Sequence, residues 1–303
     1  MSILLQAQIT KTVIPTVVEQ VAPFDSTKNW HGNKNVSSFI GQQLYFLPKH
    51  ERFYMNITSD AFDANVPYCE ICGHTFDIID VSPYNRDEYH EEVYTLKLKD
   101  IENNKIYYYS YKSNIEPISP DYIFVSYFNY LKTIYVGQEY VVLPPAISLL
   151  KSHSSPERVY NKDINTGKEI TYNPRNNCYK IIDVTVSDER AISPIFFLIS
   201  NGEHTTYFTS NVLLKIKKKI SESIVKKAEW ESLSKKYGAT LMDCVVKGEI
   251  KVGMPERLLI LSWGYPDSIR ENSYGDDQFI YRTKYEGNKY VYVSKKGIIT
   301  AWN

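Results

Sequence analysis

Cys69, Cys72 and His74 form the motif Cys-x-x-Cys-x-His. Two cysteines at this spacing with a histidine beside them are half of a tetrahedral zinc site, which takes four nitrogen or sulfur donors. No second half follows. Cys178 falls beside the position of Thr75 when the chain is aligned with itself, and Cys244 lies in a separate helical stretch. A local disulfide or two thiols is therefore the expectation, and no metal or cofactor is assigned.

Other candidate chemistry is sparse. His90-Glu91-Glu92 is not a zincin motif, because the second histidine would stand at position 94, which is Tyr94. The remaining histidines, at 31, 50, 153 and 204, are scattered. Gly-x-Ser-x-Gly, P-loop and Rossmann glycine patterns do not occur. Asp80 and Asp183 recur at matching places in two related segments, which points to a turn role at a strand end. Tyr107, Tyr108, Tyr109 and Tyr111 could stack on a ligand, but alternation along a strand sends part of the set into a core. No catalytic residue is assigned. Triads assemble from distant positions, so a hydrolase stays as the alternative.

Composition narrows the class. The 303 residues carry 35 Lys plus Arg against 35 Asp plus Glu, which argues against a broadly basic nucleic-acid binder. No apolar run is long enough for a transmembrane helix. Tyrosine, at 26 residues, favours β-structure with amphipathic faces. Four cysteines are too few for a disulfide scaffold. Residues 1–7 lack a basic n-region yet read like the end of a signal peptide, with Ala7 at the cleavage position and a mature start near Gln8. Export to the periplasm or outside the cell is expected.

These side chains are positioned by an internal repeat. Residues 41–48 (GQQLYFLP) match 137–144 (GQEYVVLP) at an offset of 96. Residues 76–81 (FDIIDV) match 179–184 (YKIIDV) at an offset of 103. A hairpin follows in each: 93–98 and 106–111 about Asn103-Asn104, then 195–199 and 205–209 about Asn201-Gly202. Ser-Asn closes both, at 113–114 and 210–211. Near-constant offsets indicate a duplicated unit of ~100 residues. Each copy reads as four or five short antiparallel strands that must curl or lean on a neighbour to protect their edges. Their order resembles bacterial SH3-like modules. Residues 121–130 are either the last strand of copy one or the link between copies, and 151–177 read as a long loop.

Composition shifts at Lys215. Eight lysines face three glutamates over residues 212–236, and Ile216, Ile220, Ile224, Ala228 and Leu233 recur at helical spacing up to Gly238. This basic face is read as solvated rather than lipid-binding. Further helices are expected over 241–246, ending at Gly248, and from Pro255 to Gly264. Strands follow over 278–282, 289–293 and 297–302. Gly253-Met254, Leu258 to Leu261, Trp263-Gly264-Tyr265-Pro266, Tyr281, Tyr290, Tyr292 and Gly297-Ile298-Ile299 resemble the small outer-membrane lipoprotein domain of SmpA/OmlA type, whose fold the β-lactamase inhibitor proteins share. Phe279 stands where that family often has Trp, and no lipobox cysteine stands near residue 1. The resemblance covers about residues 236–303 and implies a non-catalytic protein-binding domain of a bacterial envelope. Trp263 and Trp302 are expected to close its core.

The expected architecture is mainly β with a C-terminal α+β domain: an N-terminal segment (1–30), one SH3-like barrel (31–130), a second (131–213), and an ααβββ domain (214–303). The expected function is a non-enzymatic envelope binding or scaffold protein for peptide, glycan or protein. The alternative is an envelope hydrolase with the barrels as targeting modules.

Overall fold

A computed structural model describes residues 23–26, 35–47, 57–59, 66–67, 70–84, 93–112, 122–144, 162–186, 195–209, 224–283 and 287–303. The expected signal-peptide remnant, Cys69, and the residues of the Lys-rich stretch before 224 lie outside them. The protein is mainly β. It divides into two compact units, Met1–Val136 with Asp183–Phe197, and Gly137–Ile182 with Leu198–Asn303.

The first sheet has six strands: β1 (Gln43–Phe46), β2 (Ile57–Thr58), β3 (Thr75–Tyr84), β4 (Val93–Asp100), β5 (Ile106–Lys112) and β6 (Tyr122–Phe124), in the order β2-β5-β4-β3-β1-β6. Helix α1 (Val125–Tyr135) follows β6 directly. The second sheet contains β7 (Glu139–Val142), β8 (Cys178–Val186), β9 (Ile195–Ser200), β10 (Thr205–Thr209) and β11 (Ile224–Lys226), in the order β10-β9-β8-β7-β11. Helix α2 (Lys227–Tyr237) follows β11.

Residue pairing repeats between the two sheets. Leu44 pairs with Phe76 and Phe124; Tyr140, 96 residues later, pairs with Tyr179 and Lys226. The partners of Tyr140 are displaced by 103 and 102 residues from those of Leu44. The first displacement is the offset that the two sequence segments display. Backbone bonds repeat as well. Gly41 N–H donates to the Ile78 carbonyl and Gly137 N–H to that of Ile181, each at 2.8 Å. Phe46 and Val142 likewise donate to the carbonyls of His74 and Asn177. Both glycines lie at positive φ, +82° and +90°, with open space where a Cβ would sit. Gly41→Ala and Gly137→Ala are therefore expected to destabilise by the same backbone term, about 1–2 kcal/mol each, in denaturant unfolding. A large effect at one site and none at the other would separate the two copies.

Several expectations change here. Residues 121–130 are neither wholly strand nor linker, because the chain turns from β6 into α1 at Val125. Ile224 belongs to a strand rather than a helix. β11 and α2, expected in the C-terminal domain, stand to the second sheet as β6 and α1 stand to the first. Asp80 lies mid-strand at a bulge rather than at a strand end. Its carboxylate accepts from the next N–H, of Val81, as Asp183 does from Val184. Tyr107, Tyr109 and Tyr111 are all buried, so only Tyr108 of that set points away from the core.

The first core is aromatic. Phe46 packs edge-on against Phe76 and Tyr109, with Tyr122 5.7 Å away. Such offset and T-shaped pairs add to what the buried area supplies.

In the second unit, the C-terminal layer comprises α3 (Ala239–Lys247), α4 (Glu256–Trp263) and a sheet in the order β12 (Ser268–Arg270), β13 (Asp277–Thr283), β14 (Gly287–Val293), β15 (Ile299–Trp302). Gly248, left-handed at φ 70°, ends α3 where expected. One core joins this layer to the second sheet. Val141, Leu143 and Val225 lie with Met242, Val245, Met254, Leu258, Leu259, Phe279, Val291 and Ile299.

The loop before β8 is held by Asp163, which is only 3% exposed. Its carboxylate accepts backbone N–H bonds from Asn165, Thr166 and Thr205 at 2.8–3.0 Å. Burial alone raises the pKa, but these donors outweigh it and hold the group below the ordinary aspartate range. A carboxylate with a depressed folded pKa contributes stability above its unfolded value, ~3.9, and loses it as pH falls through the folded value. Asp163→Asn, which keeps a single carbonyl acceptor, is expected to lower stability by about 1–3 kcal/mol at neutral pH. It is also expected to flatten the fall in melting temperature below pH ~4. An unchanged acid limb would refute that role.

Candidate functional site

The antiparallel register of β3 and β4 pairs Phe76 with Asp100. Carried two residues beyond the strands, that register sets His74 against Glu102. His74 Nδ1 lies 2.7 Å from Asp100 Oδ2, and Nε2 lies 3.7 Å from Glu102 Oε2. Asp100 is fully buried. Its other oxygen accepts the Glu102 N–H at 2.8 Å. An ionised carboxylate only accepts, so against such a group Nδ1 is the donor, and the ring's other nitrogen is turned toward Glu102. The ring stacks on Phe76, and its side chain is 23% exposed.

Cys72 and Tyr45 belong to the same cluster. Burial pushes the Tyr45 phenol well above its usual range, and neighbouring Cys72 and Glu102 push it further in that direction. A Cβ on Gly73 would stand 3.8 Å from the Tyr45 hydroxyl. On the outer side Glu70 accepts from Lys105 at 3.3 Å, with Tyr107 Oη at 3.5 Å. Of the three residues first considered for zinc, the structure brings Cys72 and His74 into one cluster, and Cys69 is outside the described residues. Sequence reasoning missed Asp100 and Glu102. Among the described residues no three His, Cys, Asp or Glu side chains stand in metal-binding geometry. The pair is private to the first sheet, since the backbone position of His74 is taken by Asn177 in the second.

The residues behind the SmpA/OmlA resemblance are brought together in packing roles. Met254 is fully buried and its carbonyl accepts from Ile299 N–H. Glu256 N–H donates to the Gly297 carbonyl. Trp263 Nε1 donates to the Gly248 carbonyl at 2.8 Å, and Tyr281 Oη to that of Gly264 at 3.1 Å. Trp263 thus joins the core margin as expected. Trp302 does not: it is 48% exposed, edge-on to Trp263, whose ring also lies 5.7 Å from the Lys289 ammonium.

Strand alternation gives the C-terminal sheet two faces. Phe279, Tyr281, Val291 and Val293 enter the core. Arg270, Gln278, Arg282, Asn288, Tyr290 and Tyr292 occupy the other face, exposed or half-buried, around Ile280, which lies opposite Tyr290 on that face and is buried. Gln278 donates to the Tyr292 hydroxyl and Asn288 to that of Tyr290, which holds both rings by their polar tips. Among the described residues no helix is long and apolar enough to cross a membrane.

No family model, curated protein or solved structure matches this chain.

Proposed function

We propose that this chain is a non-enzymatic binding or scaffold protein of the bacterial cell envelope. In this reading two SH3-like modules precede an SmpA/OmlA-like αβ domain. The order β6-β1-β3-β4-β5, repeated as β11-β7-β8-β9-β10, supports the first part. The packing roles of Met254, Trp263, Tyr281 and Gly297 support the second. The observation that carries the binding role is the outer face of the C-terminal sheet. It presents two tethered tyrosines between two arginines, a composition suited to a protein or peptide partner.

The test is capture of envelope proteins and glycans from the native host on immobilised full-length protein. Wild type is expected to retain a specific partner that Tyr290→Ala/Tyr292→Ala loses while keeping its melting temperature. Hydrolytic activity on envelope polymers, with no partner retained, would favour the alternative.

A further inference from the structure

We propose that the outer face of the C-terminal sheet binds an extended acidic segment of a partner protein, with Arg270 and Arg282 each gripping one carboxylate and the Tyr290 and Tyr292 rings bearing the chain between them. This rests on the binding role assigned to the face above and names the chemistry of the partner.

Strand register fixes the layout. Arg270 stands beside Gln278, and Gln278 stands opposite Tyr292. Two residues along β13, Ile280 lies between Ser268 and Tyr290; two further on, Arg282 lies opposite Asn288. The arginines are thus one strand apart sideways and four residues apart lengthwise, ~14 Å between Cα atoms. Side chains four residues apart on an extended peptide point the same way and are also separated by ~13–14 Å. One compact anion, such as phosphate, does not span that separation.

Charge selects the partner. Both arginines are exposed, and among the described residues neither guanidinium has a carboxylate partner. Elsewhere in the same unit Lys227, Lys247, Arg257 and Lys295 each have a carboxylate at 3.0 Å or less. The carboxylate at the margin of the face, Asp267, accepts the Arg282 backbone N–H at 2.7 Å. A guanidinium fork takes a carboxylate through two parallel hydrogen bonds. The tyrosines between are held in advance, Tyr292 by Gln278 at 3.0 Å and Tyr290 by Asn288 at 3.3 Å, so binding orders little that is not already ordered.

The experiment titrates full-length protein into the fluorescein-labelled peptide Gly-Gly-Asp-Thr-Val-Thr-Asp-Gly-Gly and follows fluorescence polarisation. The control, Gly-Gly-Thr-Asp-Asp-Thr-Val-Gly-Gly, has the same composition with its acids adjacent. The spaced peptide is expected to bind at least about fivefold more tightly than the control, and Arg270→Gln and Arg282→Gln should each weaken it by about fivefold or more at unchanged melting temperature. Lys251→Gln, in the loop before α4, should bind as wild type. Inorganic phosphate should displace the peptide no better than chloride at equal ionic strength. Absence of binding to wild type, equal affinity for the two peptides, unchanged binding in both arginine variants or specific displacement by phosphate would overturn the proposal. In the capture experiment, Arg270→Gln/Arg282→Gln should lose the host partner as Tyr290→Ala/Tyr292→Ala does. Retention of that partner by the arginine variant alone would overturn the acidic assignment and leave the binding face standing.

Discussion

Val141→Asp is expected to remove the fold of the second unit altogether. Val141 is a β7 residue with 3% exposure, set in the core that β7 and β11 share with α3, α4 and the C-terminal sheet. An unpaired carboxylate there costs several kcal/mol of desolvation, a large part of the ~5–15 kcal/mol that holds a domain together. Near-UV circular dichroism and protease resistance of residues 239–303 should be lost along with those of the second sheet. Ile182→Asp, at an exposed place on β8, should stay within ~0.5 kcal/mol of wild type. A C-terminal layer that stays protease-resistant in Val141→Asp would contradict a common core.

The second large effect is Phe46→Ala. Phe46 is fully buried and touches the rings of Phe76, Tyr109 and Tyr122. Deleting it removes transfer free energy and leaves a cavity that flat, mutually braced rings fill poorly, for about 3–5 kcal/mol. Val142 occupies the same place in the second sheet and is also fully buried. Val142→Ala deletes far less buried surface, so its loss should be clearly smaller in urea unfolding. Equal losses would mean that the aromatic network does not brace the first core.

Much of the fold is legible in the sequence, and the reasons differ by element. The offsets 96 and 103 anticipated the register itself, since β1 and β3 move to β7 and β8 by those intervals. The helices after Ala239 were readable because glycines end them and an apolar stripe repeats along them. Helix α1 was hidden. Its aromatic and β-branched residues carry strand propensity, while the helical signal lay in Phe128, Leu131 and Tyr135, which recur as Trp230, Leu233 and Tyr237 in α2. The strand at Ile224 was hidden for the opposite reason. A four-residue spacing (216, 220, 224, 228) fits one face of a strand as well as one face of a helix. β12 has only three residues, too few for alternation to register.

The histidine cluster was half legible. Cys72 and His74 announce themselves by spacing, but Glu102 reaches them through strand pairing. Positions that pair in antiparallel strands keep a constant sum, so the match of Phe76 with Asp100 implies that of His74 with Glu102. That arithmetic needs the register first. Trp302 misled because an aromatic beside a small core usually enters it, whereas this one stays at the sheet margin.

Amide hydrogen exchange read residue by residue tests the repeated sheet most directly. Gly41 and Gly137, Ile78 and Ile181, Phe46 and Val142 are expected to form three pairs of protected amides, each held by the same bond in both sheets. Protection of Gly41, Ile78 and Phe46 with free exchange at Gly137, Ile181 and Val142, or the reverse, would contradict it.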